Sequence, residues 1–95
     1  MSRATREERL RQRLTAEFRP LELSVADESH LHAGHAGAAG GGSHFRIRIV
    51  AEAFRGRAPL ARHRLIYAAL GALMDGEIHA LAIDASPPPG PPPNA

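Results

Sequence analysis

His44-Phe45-Arg46-Ile47-Arg48-Ile49-Val50-Ala51 is the stretch from which the fold is best read. Phe45, Ile47, Ile49 and Ala51 alternate with Arg46, Arg48 and Val50. Successive side chains of a strand point to opposite faces, so this period of two predicts one apolar face and one arginine-bearing face. Upstream, Leu21, Leu23 and Val25 alternate in the same way with Glu22, Ser24 and Ala26, predicting a second, half-buried strand. Between the two strands runs a long irregular segment of Gly, Ala and His that ends at Gly42. Two strands joined by one loop predict an antiparallel hairpin with the histidines at its tip. A loop this long without structure of its own is usually functional or mobile.

Outward from the hairpin the periodicity changes to that of helices. On the N-terminal side, Leu10, Leu14 and Phe18 are spaced by four, which places them on one helical stripe. Thr5 and Glu8 have capping-box spacing, and Pro20 ends the segment, so the first helix is expected from about Thr5 to Phe18. On the C-terminal side, Phe54 to Ala58 reads as a turn in which Gly56 takes positive φ. Pro59 suits the first position of a second helix. Leu60, Ile66, Tyr67, Leu70, Leu73 and Met74 supply its apolar stripe, and Gly76 is its expected end. Ile78 to Ile83 is a short apolar run, as expected of a third strand covered on both faces.

A helix between the second and third strands predicts that they are parallel, with a right-handed crossover. The fold class is therefore α/β (α+β): a three-stranded mixed sheet with both helices on one face. The arginine-bearing face of the sheet stays wet. Residues 1–84 form the expected domain. Residues 85–95, Ala-Ser-Pro-Pro-Pro-Gly-Pro-Pro-Pro-Asn-Ala, are expected to form an extended, disordered tail, because proline removes backbone donors.

Composition narrows the function. The chain has 95 residues, enough for one domain and too few for two. It contains no cysteine, which excludes disulfides, thiolate nucleophiles and thiolate metal ligands from its own side chains. All twelve basic residues are arginine, yet the net charge is only +2, so no large positive field is expected. No apolar run approaches the roughly 18 residues that span a bilayer, and the N-terminus lacks the apolar segment of a secretory signal. These features lead to the expectation of a cytoplasmic protein without a membrane partner.

The six histidines are the distinctive chemistry. His30, His32 and His35 fall within six residues of the loop. Neutral imidazole is a ligand for zinc, copper and iron, so these three could converge on a metal; the plainer alternative is that they are solvated. Arg62-His63-Arg64 lies in the first turns of the second helix, where arginines could meet phosphate, or where the face could simply be solvated. His44 reads as either a strand-end cap or part of a site, and His79 as structural. Ser24, Ser29 and Ser43 have no activating neighbour in sequence, and Gly40-Gly41-Gly42 opens no helix. The expectation is a binding module, not an enzyme.

Taken in order, several segments resemble the BolA family. They are Asp27-Glu28-Ser29-His30-Leu31-His32-Ala33-Gly34-His35 leading into Ser43-His44-Phe45-Arg46-Ile47, then Phe54-Arg55-Gly56, Leu60, Arg62-His63-Arg64-Leu65-Ile66-Tyr67, and His79-Ala80-Leu81-Ala82-Ile83. The resemblance covers about Leu10 to Ile83. It implies a small class II KH-like fold, α-β-β-α-α-β, with an extra short helix near Phe54 to Arg57. It also implies partnership with a monothiol glutaredoxin and a shared [2Fe–2S] cluster, in iron–sulfur trafficking or in iron and stress regulation. The partner would supply a cysteine and a bound glutathione; the isolated chain, a monomer or weak homodimer, would hold no cofactor. The family's helix histidine maps onto His63 and its loop ligand onto His32, with His30 and His35 as neighbouring alternatives. Absence of cysteine excludes the branch that uses a loop cysteine. The family's Gly-Ser-Glu-Ser-His-Phe entry to the second strand reads here Gly41-Gly42-Ser43-His44-Phe45, without the glutamate and after a longer Gly/Ala run. The alternative is a DNA-binding transcriptional regulator using Arg62, Arg64, Arg46 and Arg48. A third reading, zinc or copper held by the loop alone, needs no partner.

Overall fold

Alternation and helical spacing resolve into five regular elements in the computed structural model, which describes residues 5–28, 44–74 and 80–91. Helix α1 spans Arg6–Phe18, strand β1 Glu22–Asp27, strand β2 His44–Val50, helix α2 Pro59–Leu70 and strand β3 Ala80–Ser86. The strands form one sheet in the order β1-β2-β3. β1 pairs antiparallel with β2, with Val25 opposite Ile47, and β2 pairs parallel with β3, with Ile47 opposite Ile83.

The capping box forms as the sequence implies. The Thr5 hydroxyl accepts from the Glu8 amide, and the Glu8 carboxylate accepts from the Thr5 amide, both at 3.1 Å. Leu10 and Leu14 of α1 and Ile66 and Leu70 of α2 are buried in one cluster with Phe45, Ile47 and Ile49 of β2. Both helices therefore cover the same face of the sheet, and Arg46 and Arg48 stay exposed on the other. Phe54 is fully buried and its ring lies 5.1 Å from that of Phe18, which closes the core at the end of α1. Burial of one such large apolar side chain contributes about 1.5–3 kcal/mol.

Several expectations are corrected. Among the described residues the third strand spans Ala80–Ser86, so the boundary at 84 falls inside it, while Ile78 and His79 lie outside the described residues. Ala85 is buried and paired with Ile49, and the Ser86 carbonyl accepts from the Ala51 amide at 3.0 Å. Only proline lacks a donor; Ala85 and Ser86 keep theirs and extend the ladder. The prolines that follow still offer acceptors, and the Arg55 guanidinium donates to the carbonyls of Pro88 and Gly90 at 3.1 and 2.9 Å. Residues 92–95 lie outside the described residues. β3 is also an edge strand, with Asp84 exposed on its outer face, rather than a strand covered on both faces.

α2 ends at Leu70, well before Gly76, because Gly71 takes φ 48° and ψ −122°. Leu73 and Met74 follow in a 3₁₀ turn, Gly71–Met74. Leu60 and Tyr67, expected in the core stripe, are 61% and 41% exposed. The short helix that the resemblance placed near Phe54 to Arg57 is a 3₁₀ turn at Glu52–Phe54. Gly56 takes φ 74° as expected.

Candidate functional site

The hairpin is closed at its loop end by the Glu28 amide, which donates to the His44 carbonyl at 2.8 Å. His44 is the first residue of β2 and pairs across to Ala80, the first residue of β3. The residues at which two histidine-bearing stretches of the sequence enter β2 and β3 are therefore neighbours. One is the loop 29–43, with His30, His32 and His35; the other is 75–79, with His79 one peptide from Ala80. His30, His32, His35 and His79 themselves lie outside the described residues. Among the described residues, no group of three or more His, Asp or Glu is close enough to hold a metal.

α2 places His63 differently. The helix lies in the crossover from the end of β2 to the start of its parallel neighbour β3, and so runs back against the strand direction. Its beginning is fixed by Arg62, whose Nε donates to the Arg57 carbonyl at 2.8 Å and whose Nη1 donates to the Ala85 carbonyl at 2.9 Å. Ala85 is five residues along β3 from Ala80, roughly 17 Å at about 3.3 Å per residue. His63 thus stands in the part of α2 nearer the far end of the sheet. It is half-buried, beside the exposed Tyr67 one turn later on the same side of the helix. From Glu28 to His32 the chain reaches at most about 14 Å when fully extended.

The four arginines of the nucleic-acid alternative divide between two sides of the molecule. Arg46 and Arg48 lie on the open face of the sheet, where Arg46 Nε pairs with Glu28 Oε2 at 3.1 Å. Arg62 and Arg64 belong to the helix layer on the opposite face, and Arg62 braces α2 against β3. Arg48 and Arg64 are exposed, and they share no face.

His79, read from the sequence as structural, precedes Ala80, whose pairing with His44 follows from the parallel register of β2 and β3. A second feature had no sequence signal. Glu52 and Arg55 form a two-pronged pair, Nε to Oε2 at 2.6 Å and Nη2 to Oε1 at 2.9 Å, and the same guanidinium holds the proline segment. The hydrogen bond from Arg55 holds the Glu52 carboxyl below its ordinary value of 4.5, and Glu52 in turn raises Arg55.

The sequence model of the BolA family, described as BolA-like protein, matches residues 14–89. The chain belongs to the BolA family. The matched span passes Ala85, in keeping with a domain that includes the whole of β3. Among relatives, the SufE-like protein 1, chloroplastic/mitochondrial, of Arabidopsis thaliana is 47% identical over 85 residues, 84% of this chain and 23% of that protein. BolA-like protein 1 of Homo sapiens is 42% identical over 79 residues, 83% of this chain and 56% of that protein. This BolA-family chain therefore spans about a quarter of the first and just over half of the second. Among solved structures, the BolA domain of SufE1 from Arabidopsis thaliana superposes with a TM-score of 0.79 at 42% identity, covering 92% of this chain and 96% of that one. BolA1 from the same plant gives a TM-score of 0.77 at 34% identity, covering 95% and 100%. No described helix of this family member is long and apolar enough to cross a membrane.

Proposed function

We propose that this BolA-family chain is a non-enzymatic binding partner of a monothiol glutaredoxin, with which it shares a [2Fe–2S] cluster in iron–sulfur trafficking or in iron and stress regulation. The observation that supports the reading is the pairing of His44 with Ala80, the residues that follow the histidine-bearing loop and His79 in sequence, in a chain with no thiolate. Such a cluster usually takes four ligands, commonly thiolates, and histidine replaces some of them in certain proteins. The glutaredoxin's cysteine and its glutathione supply the thiolates, and this chain supplies imidazoles. His32 is the loop ligand, with His30 and His35 as alternatives. The second imidazole is His63 by family resemblance and His79 by strand register, and the register favours His79. A cytoplasmic location goes with this reading.

The DNA-binding alternative draws less support. Its four arginines stand on opposite sides of the sheet, so a duplex lying against one side meets only one pair. Phosphate contacts set much of the affinity of such complexes, and two contacts give little.

The complex assembled from both proteins with iron, sulfide and glutathione tests the proposal. His63→Ala and His79→Ala variants of this chain are compared by visible absorption and circular dichroism of the co-eluting complex. The expected result is a changed cluster spectrum for His79→Ala and an unchanged one for His63→Ala. The reverse result restores His63 as the ligand. If no cluster-bearing complex forms with the unmodified chain, the partnership itself is wrong.

A further inference from the structure

The chain leaves the sheet through Ser86, whose carbonyl accepts from the Ala51 amide at 3.0 Å, and every residue from Pro87 to Pro93 except Gly90 is proline. Proline offers no N–H, so this stretch can neither extend the ladder nor add to another sheet. It can display only rings and carbonyls, which a polyproline II helix presents with three residues per turn and no internal hydrogen bonds. Pro88 and Pro91 are three residues apart and fall on one edge of such a helix. In the structure that helix is broken. Gly90 takes φ 85°, far from the value of about −75° in polyproline II. Arg55 holds the bend. Its Nη2 donates to the Pro88 carbonyl at 3.1 Å and its Nη1 to the Gly90 carbonyl at 2.9 Å, while the Glu52 carboxylate fixes the same guanidinium. Pro88 is half-buried as one wall of a cleft of about 440 Å³ whose other walls include Pro20 and Leu21, whereas Pro89 and Pro91 are exposed.

We infer that residues 87–91 are a docking peptide for a protein domain that reads polyproline II through an aromatic-lined groove, and that Arg55 holds this peptide in a bent, closed form. Grooves of this kind take proline rings between flat aromatic side chains, whose Tyr hydroxyls and Trp N–H groups can donate to the peptide's carbonyls. A proline stretch suits them because it has little backbone freedom to lose on binding. The closed form withholds the carbonyls of Pro88 and Gly90 and covers part of the Pro88 ring. Docking therefore requires the Arg55 hydrogen bonds to open and Gly90 to return to negative φ. The apparent affinity is the intrinsic one reduced by the fraction of the chain that is open. The peptide leaves β3 at the end opposite Ala80, the residue paired with His44, so this surface is independent of the cluster reading.

The chain has no tryptophan, so the groove tryptophan of an isolated SH3 or WW domain reports binding alone. Each domain is titrated with the full chain and with its Arg55→Ala, Gly90→Ala and Pro91→Ala variants. The unmodified chain is expected to shift the fluorescence of one of the domains. Arg55→Ala is expected to bind roughly threefold to tenfold more tightly, the scale of two hydrogen bonds that no longer hold the closed form. Gly90→Ala is expected to act in the same direction by a different route. It leaves Arg55 and Glu52 in place, and its Cβ would meet nothing within 4 Å, so it opposes the closed form only through the positive φ. Pro91→Ala, at an exposed position outside the core, is expected to lose the response. Fluorescence that none of the four chains changes makes the stretch a spacer and overturns the inference. So does a Pro91→Ala chain that binds as the unmodified one does. Arg55→Ala and Gly90→Ala chains that bind no more tightly than the unmodified chain overturn the closed form.

Discussion

Arg55 makes four hydrogen bonds, two to the Glu52 carboxylate and two to carbonyls of the proline segment. The Glu52 carboxyl is consequently held below 4.5, chiefly by the Arg55 hydrogen bond. A carboxyl with a lowered folded-state pKa binds fewer protons folded than unfolded. Its contribution to stability is therefore present above the unfolded pKa and is lost as pH falls through the folded one. The pair is exposed, so this contribution is small and weakens with salt. An NMR titration of the unmodified chain is expected to place the Glu52 midpoint below 4.5, and Arg55→Ala is expected to bring it back up. The same variant frees the Gly90 carbonyl, and the proline segment should show faster local motion. At this scale the sequence is least informative. Arg62 and Arg64 look alike in Arg62-His63-Arg64, but only Arg62 lies within reach of the Ala85 carbonyl. That difference arises from a strand more than twenty residues away.

At the scale of elements, boundaries written in local chemistry were legible and those set by tertiary packing were not. The Thr5–Glu8 capping box and Pro59 at the first turn of α2 appear in the sequence as they appear in the fold. The end of α2 was misplaced because the apolar stripe continues through Leu73 and Met74, which pack against the core from a 3₁₀ turn. Gly71 makes that change of path possible, since its φ 48° and ψ −122° lie where side chains are strained. A Cβ at Gly71 would meet nothing within 4 Å. Gly71→Ala is therefore expected to destabilise through backbone strain alone, by about 1–3 kcal/mol. Urea unfolding measures this, and an unchanged midpoint would show that the turn tolerates a side chain. The extent of β3 was misjudged for a different reason. The proline run dominates the C-terminal composition and hid two residues that still carry donors, Ala85 and Ser86.

Across the whole molecule, the alternation in β1 and β2 and the helix between β2 and β3 made the mixed sheet and its one-sided helix layer readable. The candidate site was only partly readable. The loop histidines stand out in the sequence, but the pairing of His44 with Ala80, the residue after His79, belongs to the β2–β3 register, a long-range feature. We propose that imidazole nitrogens of this chain ligate a cluster whose thiolates come from a glutaredoxin. The most direct measurement is pulsed electron paramagnetic resonance of the reduced complex, assembled with this chain carrying ¹⁵N-histidine and the partner unlabelled. The expected result is ¹⁵N hyperfine coupling strong enough for direct iron–nitrogen bonds. A reduced cluster in the same complex with no such coupling would contradict it.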